Sequence, residues 1–487
     1  MSASIVVAKS NRGKELIICG GYCFYLNKKV KNKCYWCCNQ KDDKFCSSTL
    51  ITETANSGVH NVIKEMSEHS HAPSPNKIDA IKLSNNLKQD ALAASSDKPT
   101  QLINKHLLEV PSTSACSISN KNALRQIVKR ARAKDKPKEP STLDEIDFPD
   151  NHKTAAGEAF LARDLSFDDG QRIIIFCTKK NIKILHESLI WIMDGTFKTC
   201  PWIFQQIYSI HGIIGIDDHR KIVPLMYCLM TSKTESAYMH LFQELKSYAA
   251  EEGFQLNPNH IMTDFEIAVI NAVRIEFPDA LHNGCLFHLG QNVWRRIQEF
   301  GLSVRYGQDS NFAVSLRQLV ALAYLPPDDI PTAFHMLKEE VLPQEAEPLT
   351  EWFETYYVCG RRKSLGGGGT TITITRSQPL FPPHFWSVHQ NNELGLPRTQ
   401  NNVEGWHRRW NCLLNNGRLG LYATVRELIK EQINTNHIVE KSLSCVDQTP
   451  PRKKKKKLQT AITQICRNRD QMQLKEFLRS IANCTSF

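Results

Sequence analysis

The order of short apolar runs between residues 188 and 300 constrains the fold more than any other feature of the chain. "SLIWIMDGTF", "FQQIYSIHGII" and "KIVPLMYCLM" have the length of strands, and turn residues such as "KTCPW" separate the first two. "SAYMHLFQELKSYAAEEG" then sets Ala237, Leu241, Leu245 and Tyr248 near helical spacing, with Gly253 as a stop. "HIMTDF" predicts a strand, "EIAVINAVRIEF" a helix, "ALHNGCLF" a strand and "LGQNVWRRIQEF" a helix. Three strands followed by helix, strand, helix and strand predict an α/β sheet with hairpins on one side and crossovers on the other. Residues 301–390 read as helical, interrupted by "SLGGGGTTITITRSQ", which suits a loop or a weak hairpin.

Two of these strands end in an acid, Asp194 in "MDGTFK" and Asp264 in "MTDFE". An acid at the carboxyl end of a sheet strand points into the crevice where α/β folds place ligands. Taken singly, each aspartate is equally well explained as a turn former or helix cap. Taken as a pair on neighbouring strands, they repel each other and call for a cation. A hard, oxygen-liganded ion such as Mg²⁺ or Mn²⁺ suits them. A third carboxylate from a later helix would complete a two-metal site for phosphoryl transfer, and Glu404 in "TQNNVEGWHRRWN" is the candidate. That stretch reads as a helix with Val403, Trp406, Trp410 and Leu413 on an apolar stripe and Glu404, His407, Arg408 and Asn411 beside it. Its structural reading is a capping box, Asn401 with Glu404, plus a Glu404–Arg408 pair one turn apart.

The 487 residues allow about three domains. No apolar stretch approaches the roughly 20 residues of a membrane helix, and the N-terminus lacks a secretory signal pattern. The sixteen cysteines are therefore expected as thiols and metal ligands rather than as disulfides. The net charge of +11 is concentrated in "KRARAKDKPK" at 129–138 and "PRKKKKK" at 451–457. Such clusters suit either solvated tails or nucleic-acid contact, and Lys453, Lys454, Lys455, Lys456 and Lys457 form a candidate nuclear import signal. Like-charge repulsion predicts that this lysine run stays disordered.

"DGTFK", "MTDFE", "GCLFHLGQNVWR" and "RTQNNVEGWHRRWN", in this order, closely resemble the transposases of Mutator-like elements (MULE). The resemblance extends over roughly residues 140–430 and includes "PSTLDEIDFP", "AGEAFLARD" and "PLFPPHFWSV". It implies an RNase H-like catalytic core in which Asp194, Asp264 and Glu404 bind the metal. The same likeness makes His407, Arg408 and Arg409 candidates for contact with DNA phosphates, while Trp406 and Trp410 pack the helix on the sheet. Cys285 and His288 form a Cys-x-x-His pair that the family also carries. Two such ligands do not make a zinc site, and a structural hydrogen bond or DNA contact suits them better.

"CYWCCNQKDDKFC" followed by "EHSHAP" resembles a FLYWCH zinc finger over about residues 15–73. The resemblance implies zinc ligands Cys38, Cys46, His69 and His71, with Cys34 and Cys37 as spare thiols beside them. Four such ligands satisfy tetrahedral zinc. Lys28, Lys29, Lys31 and Lys33 on its first strands suit DNA binding, and protein contact stays open.

The expected organisation is a small β-rich zinc-binding domain at 10–75, a polar and basic linker at 76–140 with a short basic helix at 121–135, and the first part of an RNase H-like α/β core at 141–300. A helical insertion follows at 301–390, then the last acid-bearing helix at 391–440 and a basic tail at 441–487. The resemblances imply a nuclear DNA transposase, acting on transposon ends and target DNA as a dimer or larger assembly. The alternative is a domesticated, zinc-dependent DNA-binding regulator that keeps the fold without catalysis.

Overall fold

Strand-forming residues dominate the first 64 positions, and they fold into one antiparallel meander. In the computed structural model its strands are Ile5–Lys9, Glu15–Cys19, Tyr22–Val30, Lys33–Cys38, Thr49–Thr54 and His60–Lys64, each beside the next. Gly20 and Gly21 make the two-residue turn between the second and third strands, both with positive φ. That conformation matches the twist of a hairpin and favours glycine. Ile17, Phe24, Trp36 and Leu50 fill the core. The structure describes residues 5–10, 14–54, 60–93, 98–134, 137–168, 170–215, 220–365, 373–414, 417–443 and 453–485. The chain divides into two units, Met1–Lys138 and Glu139–Phe487.

The polar stretch after residue 75, expected as a linker, is largely helical. Pro75–Ala93, Pro99–Leu107 and Lys121–Lys134 are α-helices. Leu83, Leu87, Leu102, Ile103, Leu124 and Val128 meet in a small core of their own. Lys121–Lys134 is the short basic helix expected at 121–135; in the other two helices the few apolar residues sit at helical spacing within a polar composition, and that composition hid them.

The second unit holds a seven-stranded mixed sheet. Its spatial order is Leu281–Gly284, His260–Thr263, Ile190–Thr196, Gln206–Ile214, Lys221–Met230, Gln171–Phe176 and Leu161–Phe167. The first three pair in parallel and the others antiparallel. The five strands expected from the sequence are present, and two more, Leu161–Phe167 and Gln171–Phe176, extend the far edge. Both sheet faces are covered, which explains the near-continuous apolar runs. Ile173, Ile175, Trp191 and Met193 face a layer that includes the helices Lys179–Glu187, Glu235–Glu251 and Ile267–Glu276. Ile174, Phe176, Ile207 and Tyr227 face the opposite layer, made by the helices Asn401–Leu413 and Leu421–Leu443.

Residues after 301 form the expected helical region, including Ser310–Ala321, Ile330–Glu340 and Glu347–Phe353. The Gly/Thr-rich stretch gives a short hairpin, Arg362–Leu365 with Thr373–Arg376, whose tip lies outside the described residues. The C-terminal segment is not a free tail. Lys453–Arg467 and Leu474–Cys484 are helices, and Ile462, Phe477, Leu478 and Ile481 are buried in the core of the helical region. Lys453–Lys457 begin the first of these helices, against the expected disorder. The amphipathic segment that follows them supplies the packing that charge repulsion opposes; Pro451 and Arg452 lie outside the described residues. Among the described residues no helix is long and apolar enough to cross a membrane.

Candidate metal centres

Within the first unit, Cys38, Cys46, His69 and His71 converge so that their ligand atoms all lie within 4.8 Å of one another. Cys38 Sγ is 3.2 Å from His71 Nε2, and Cys46 Sγ is 3.4 Å from His69 Nδ1. Tetrahedral zinc at ordinary bond lengths separates sulfur from nitrogen by about 3.5 Å, so the four residues fit one ion. The other ring nitrogens are occupied as a zinc site requires. His69 Nε2 lies 3.0 Å from Ser48 Oγ, and His71 Nδ1 lies 2.9 Å from the Ala72 carbonyl. Such partners orient each imidazole toward the metal. Tyr22 stacks on His69 at 3.6 Å. Burial pushes the Cys46 thiol up, but hydrogen bonds from the Ser48 and Ser70 backbone and from the Ser70 hydroxyl hold it lower, at about 7. The spare thiols point elsewhere: Cys34 Sγ meets Thr54 Oγ1 at 3.4 Å, and Cys37 Sγ approaches the Tyr25 carbonyl.

In the second unit, Asp194 and Asp264 are neighbours across two parallel strands. Ile192 pairs with Met262, so each aspartate lies two residues beyond a paired position. Asp194 lies inside its strand rather than at its end, and Gly195 follows because a Cβ there would meet the Gln206 side chain at 2.5 Å. The Gly195 N–H donates to Asp194 Oδ1, and the Glu266 N–H donates to Asp264 Oδ1. Phe265 is held edge-on by Phe381 and Phe385, which gives "PLFPPHFW" its place behind the second acid.

The helix Asn401–Leu413 brings Glu404 to the same cleft, a cavity of about 720 Å³ lined by all three acids, His288, Arg295, His407 and Arg408. Gln400 fixes this arrangement. Its side-chain amide donates to the carbonyls of Met193 and Met262, the residues before and near the two aspartates, and its backbone N–H donates to Cys285 Sγ. Val403 packs with Ile192, Met262 and Cys285 beneath it. The capping box does not form: Gln400 occupies the cap position, Asn401 is already helical, and no side chain caps the helix. Trp406 and Trp410 are buried against the sheet as expected. Leu413 is exposed, and the neighbouring Leu414 takes its place in the core.

Burial, then repulsion from Asp194, pushes the Asp264 carboxyl up to about 6. Burial and the same repulsion push Glu404 up to about 7, against a small opposing pull from Arg408. Glu404 Oε1 is buried without a hydrogen-bond partner among the described residues. Asp194 Oδ2 lies 3.2 Å from His407 Nδ1. The three carboxylates are not as tightly gathered as the zinc ligands, since their oxygens do not all lie within 4.8 Å of one another. Carboxylates shared between two ions about 3.5–4 Å apart do not need to be. The donor set, all oxygen, electron-rich and partly unpartnered, fits hard divalent cations.

The remaining candidates separate. Arg408 lines the cleft, whereas Arg409 donates to Glu431 through both terminal guanidinium nitrogens, and Trp406 Nε1 donates to the same carboxylate at 2.8 Å. Cys285 is buried away from the cleft, while His288 lines it with Nδ1 unpartnered. Gln400 and Glu431 escaped the sequence reading because only the fold gives them partners. A further group, His335, Glu354 and Cys359, also has metal-ligand spacing. Its carboxylate is already paired with Lys338 and Arg376, each at 2.7 Å, which disfavours another cation.

Two family models match parts of the chain. The FLYWCH zinc finger domain model matches residues 7–71, and the MULE transposase domain model matches residues 190–292. The chain thus carries, in this order, matches to a zinc finger model and to a MULE transposase domain model, which support a transposase-like or DNA-binding role. The second match includes Asp194 and Asp264 and ends before Glu404, so it covers less than the likeness seen in the sequence. No curated protein matches the chain significantly.

Proposed function

We propose that the protein is a DNA transposase of the Mutator-like class that cleaves and joins DNA strands by metal-dependent phosphoryl transfer, with Asp194, Asp264 and Glu404 as the ligands of two Mg²⁺ or Mn²⁺ ions. The observation that carries this reading is the cleft itself: three carboxylates, two of them raised toward neutrality, with a buried unpartnered oxygen on Glu404. When bound, the ions would activate the attacking oxygen and stabilise the leaving one. The sheet order supports an RNase H-like core. An antiparallel trio, Lys221–Met230, Gln206–Ile214 and Ile190–Thr196, is followed by two strands parallel to the last.

The chain's own residues supply binding and orientation. Lys198, Arg295 and Arg408 line the acid cleft and suit the phosphates on either side of a scissile bond. Gln400 holds the Glu404 helix to both aspartate strands. In the first step a water oxygen attacks phosphorus, gives up its proton and the 3′-oxygen leaves; in the second the freed 3′-OH attacks a target phosphodiester, forming a new P–O bond as the target's own 3′-oxygen leaves with the proton. DNA held through the zinc finger in the nucleus, in a dimer or larger assembly, belongs to the same reading.

Strand cleavage tests it. Purified protein and its Glu404→Gln variant are incubated with labelled DNA from the flanks of the gene and Mg²⁺ or Mn²⁺. Nicking at a defined end by the unmodified protein alone is the expected result. Equal DNA binding by both without nicking would instead identify a DNA-binding regulator.

A further inference from the structure

The first strand of the N-terminal sheet, Ile5–Lys9, is an edge strand, and its outer side opens into a groove. The helices Pro75–Ala93 and Lys121–Lys134 form the other walls, enclosing about 1130 Å³. The direction of the backbone groups follows from one side chain. Asn85 Oδ1 accepts from the Lys9 N–H at 3.1 Å, and Asn85 Nδ2 donates to the Lys9 carbonyl at 3.0 Å. The Asn85 amide thus treats Lys9 as a neighbouring strand would. Ser10, one residue on, bonds inward to the Lys14 carbonyl. Outward and inward groups alternate along an antiparallel strand, so Val7 presents its N–H and C=O to the groove as Lys9 does. Among the described residues Val7 has no backbone partner on that side.

The groove's side chains specify an occupant. Val7 and Leu92 are exposed large apolar residues on its walls. Lys82, Lys88 and Arg130 line it with Glu15 as the single acid. Lys88 is half-buried, with no acidic partner among the described residues, and burial holds its ammonium below the ordinary lysine value. A desolvated, unpaired cation favours an anionic partner. A second copy of this basic groove would be repelled, which disfavours self-pairing.

We infer that this groove takes an extended acidic peptide of another protein as an additional β-strand, its backbone bonded to Val7 and its carboxylates facing Lys88 and its basic neighbours. Main-chain bonds along an exposed sheet edge give affinity, and alternate side-chain sites give selectivity. The inference is independent of the chemistry in the second unit.

The test uses the full-length, zinc-loaded chain and a fluorescein-labelled decapeptide alternating valine with glutamate, read by anisotropy. Val7→Pro removes the outward donor and leaves the inward ladder bonds of Val6 and Ala8 intact, a substitution that edge strands accept. Binding is expected to weaken about tenfold in Val7→Pro and in Lys88→Glu, while zinc content stays at that of the unmodified protein. A peptide N-methylated at alternate residues should lose binding similarly, and one with lysine for glutamate should not bind. No binding of the acidic peptide, or equal binding by the unmodified protein and both variants, overturns the inference. So does displacement by a duplex oligonucleotide whose own affinity falls in Lys88→Glu but not in Val7→Pro, which would mark the groove as a phosphate track.

Discussion

At the scale of single residues, Asp264 and Glu404 are held in a state that costs the metal-free protein stability. Both carboxyls stand above their ordinary values, at about 6 and about 7. A raised carboxyl binds its proton more tightly when folded, so it costs nothing below pH 4 and its full penalty above the folded value. The metal-free protein should therefore lose stability as pH rises from about 4 to 7. Glu404→Gln removes one source of this slope. Thermal melts without metal should show a higher Tm for the variant at pH 8 and equal Tm at pH 4. Mn²⁺ should raise the Tm of the unmodified protein more at pH 8 than at pH 5, because the proton competes with the ion for the same oxygens. Identical pH profiles for the two proteins would mean that neither burial nor Asp194 raises the Glu404 carboxyl. An acid after an apolar run is a local pattern, so Asp194 and Asp264 stand out in the sequence and both line the cleft, although Asp194 lies inside its strand. Glu431 was not: it lies in an ordinary helical stretch, and only folding brings it against Arg409 and Trp406.

At the scale of elements, the central question is how a helix 140 residues beyond Asp264 is brought to the same cleft. The answer is a junction rather than a cap. Gln400, fully buried, donates to one carbonyl on each aspartate strand and meets Cys285 through its backbone. Gln400→Ala should cost about 2 kcal/mol for two lost buried hydrogen bonds whose carbonyls stay buried. It should also lower Mg²⁺-dependent cleavage by at least about tenfold, since the acid it positions is displaced while no cleft residue is removed. Denaturant melts beside cleavage rates check both, and a rate loss without a stability loss would rule out this junction. The "TQNN" sequence suggested a capping box because its residue types fit one. The actual bonds depend on strands far away in sequence, which no local pattern encodes. The same limit hid the helices Pro75–Ala93 and Pro99–Leu107, whose few apolar residues become a core only when three helices meet. The finger was more legible, since its ligand spacing is a local property. Its small core implies that zinc supplies much of its stability. A chelator, or Cys38→Ser, should abolish the folded sheet of residues 5–64, read as loss of amide-exchange protection there.

At the scale of the whole molecule, the net charge of +11 is carried by separate clusters rather than spread evenly. One is the hairpin bearing Lys28, Lys29, Lys31 and Lys33, all exposed and without an ion pair among the described residues. A second is the helix Lys121–Lys134, which contains no acid, and a third is the lysine run at 453–457. Each phosphate contact made by such a residue releases counterions, so log affinity falls with log salt by about 0.9 per contact on duplex DNA. If the finger hairpin lies on DNA, replacing its four lysines with alanine should reduce that slope by about 3 to 4. The affinity loss should then be largest near 50 mM salt and shrink toward 200 mM. Anisotropy titrations of a labelled duplex across that range, without Mg²⁺, measure the slope apart from cleavage. Chelating zinc from the unmodified protein should produce a similar reduction, because the lysines then lose the sheet that aligns them. Arg408→Gln, at the acid cleft, should change the slope by no more than about one contact. An unchanged slope in the four-lysine variant would place the finger off the DNA and leave the charge of the other clusters to account for binding.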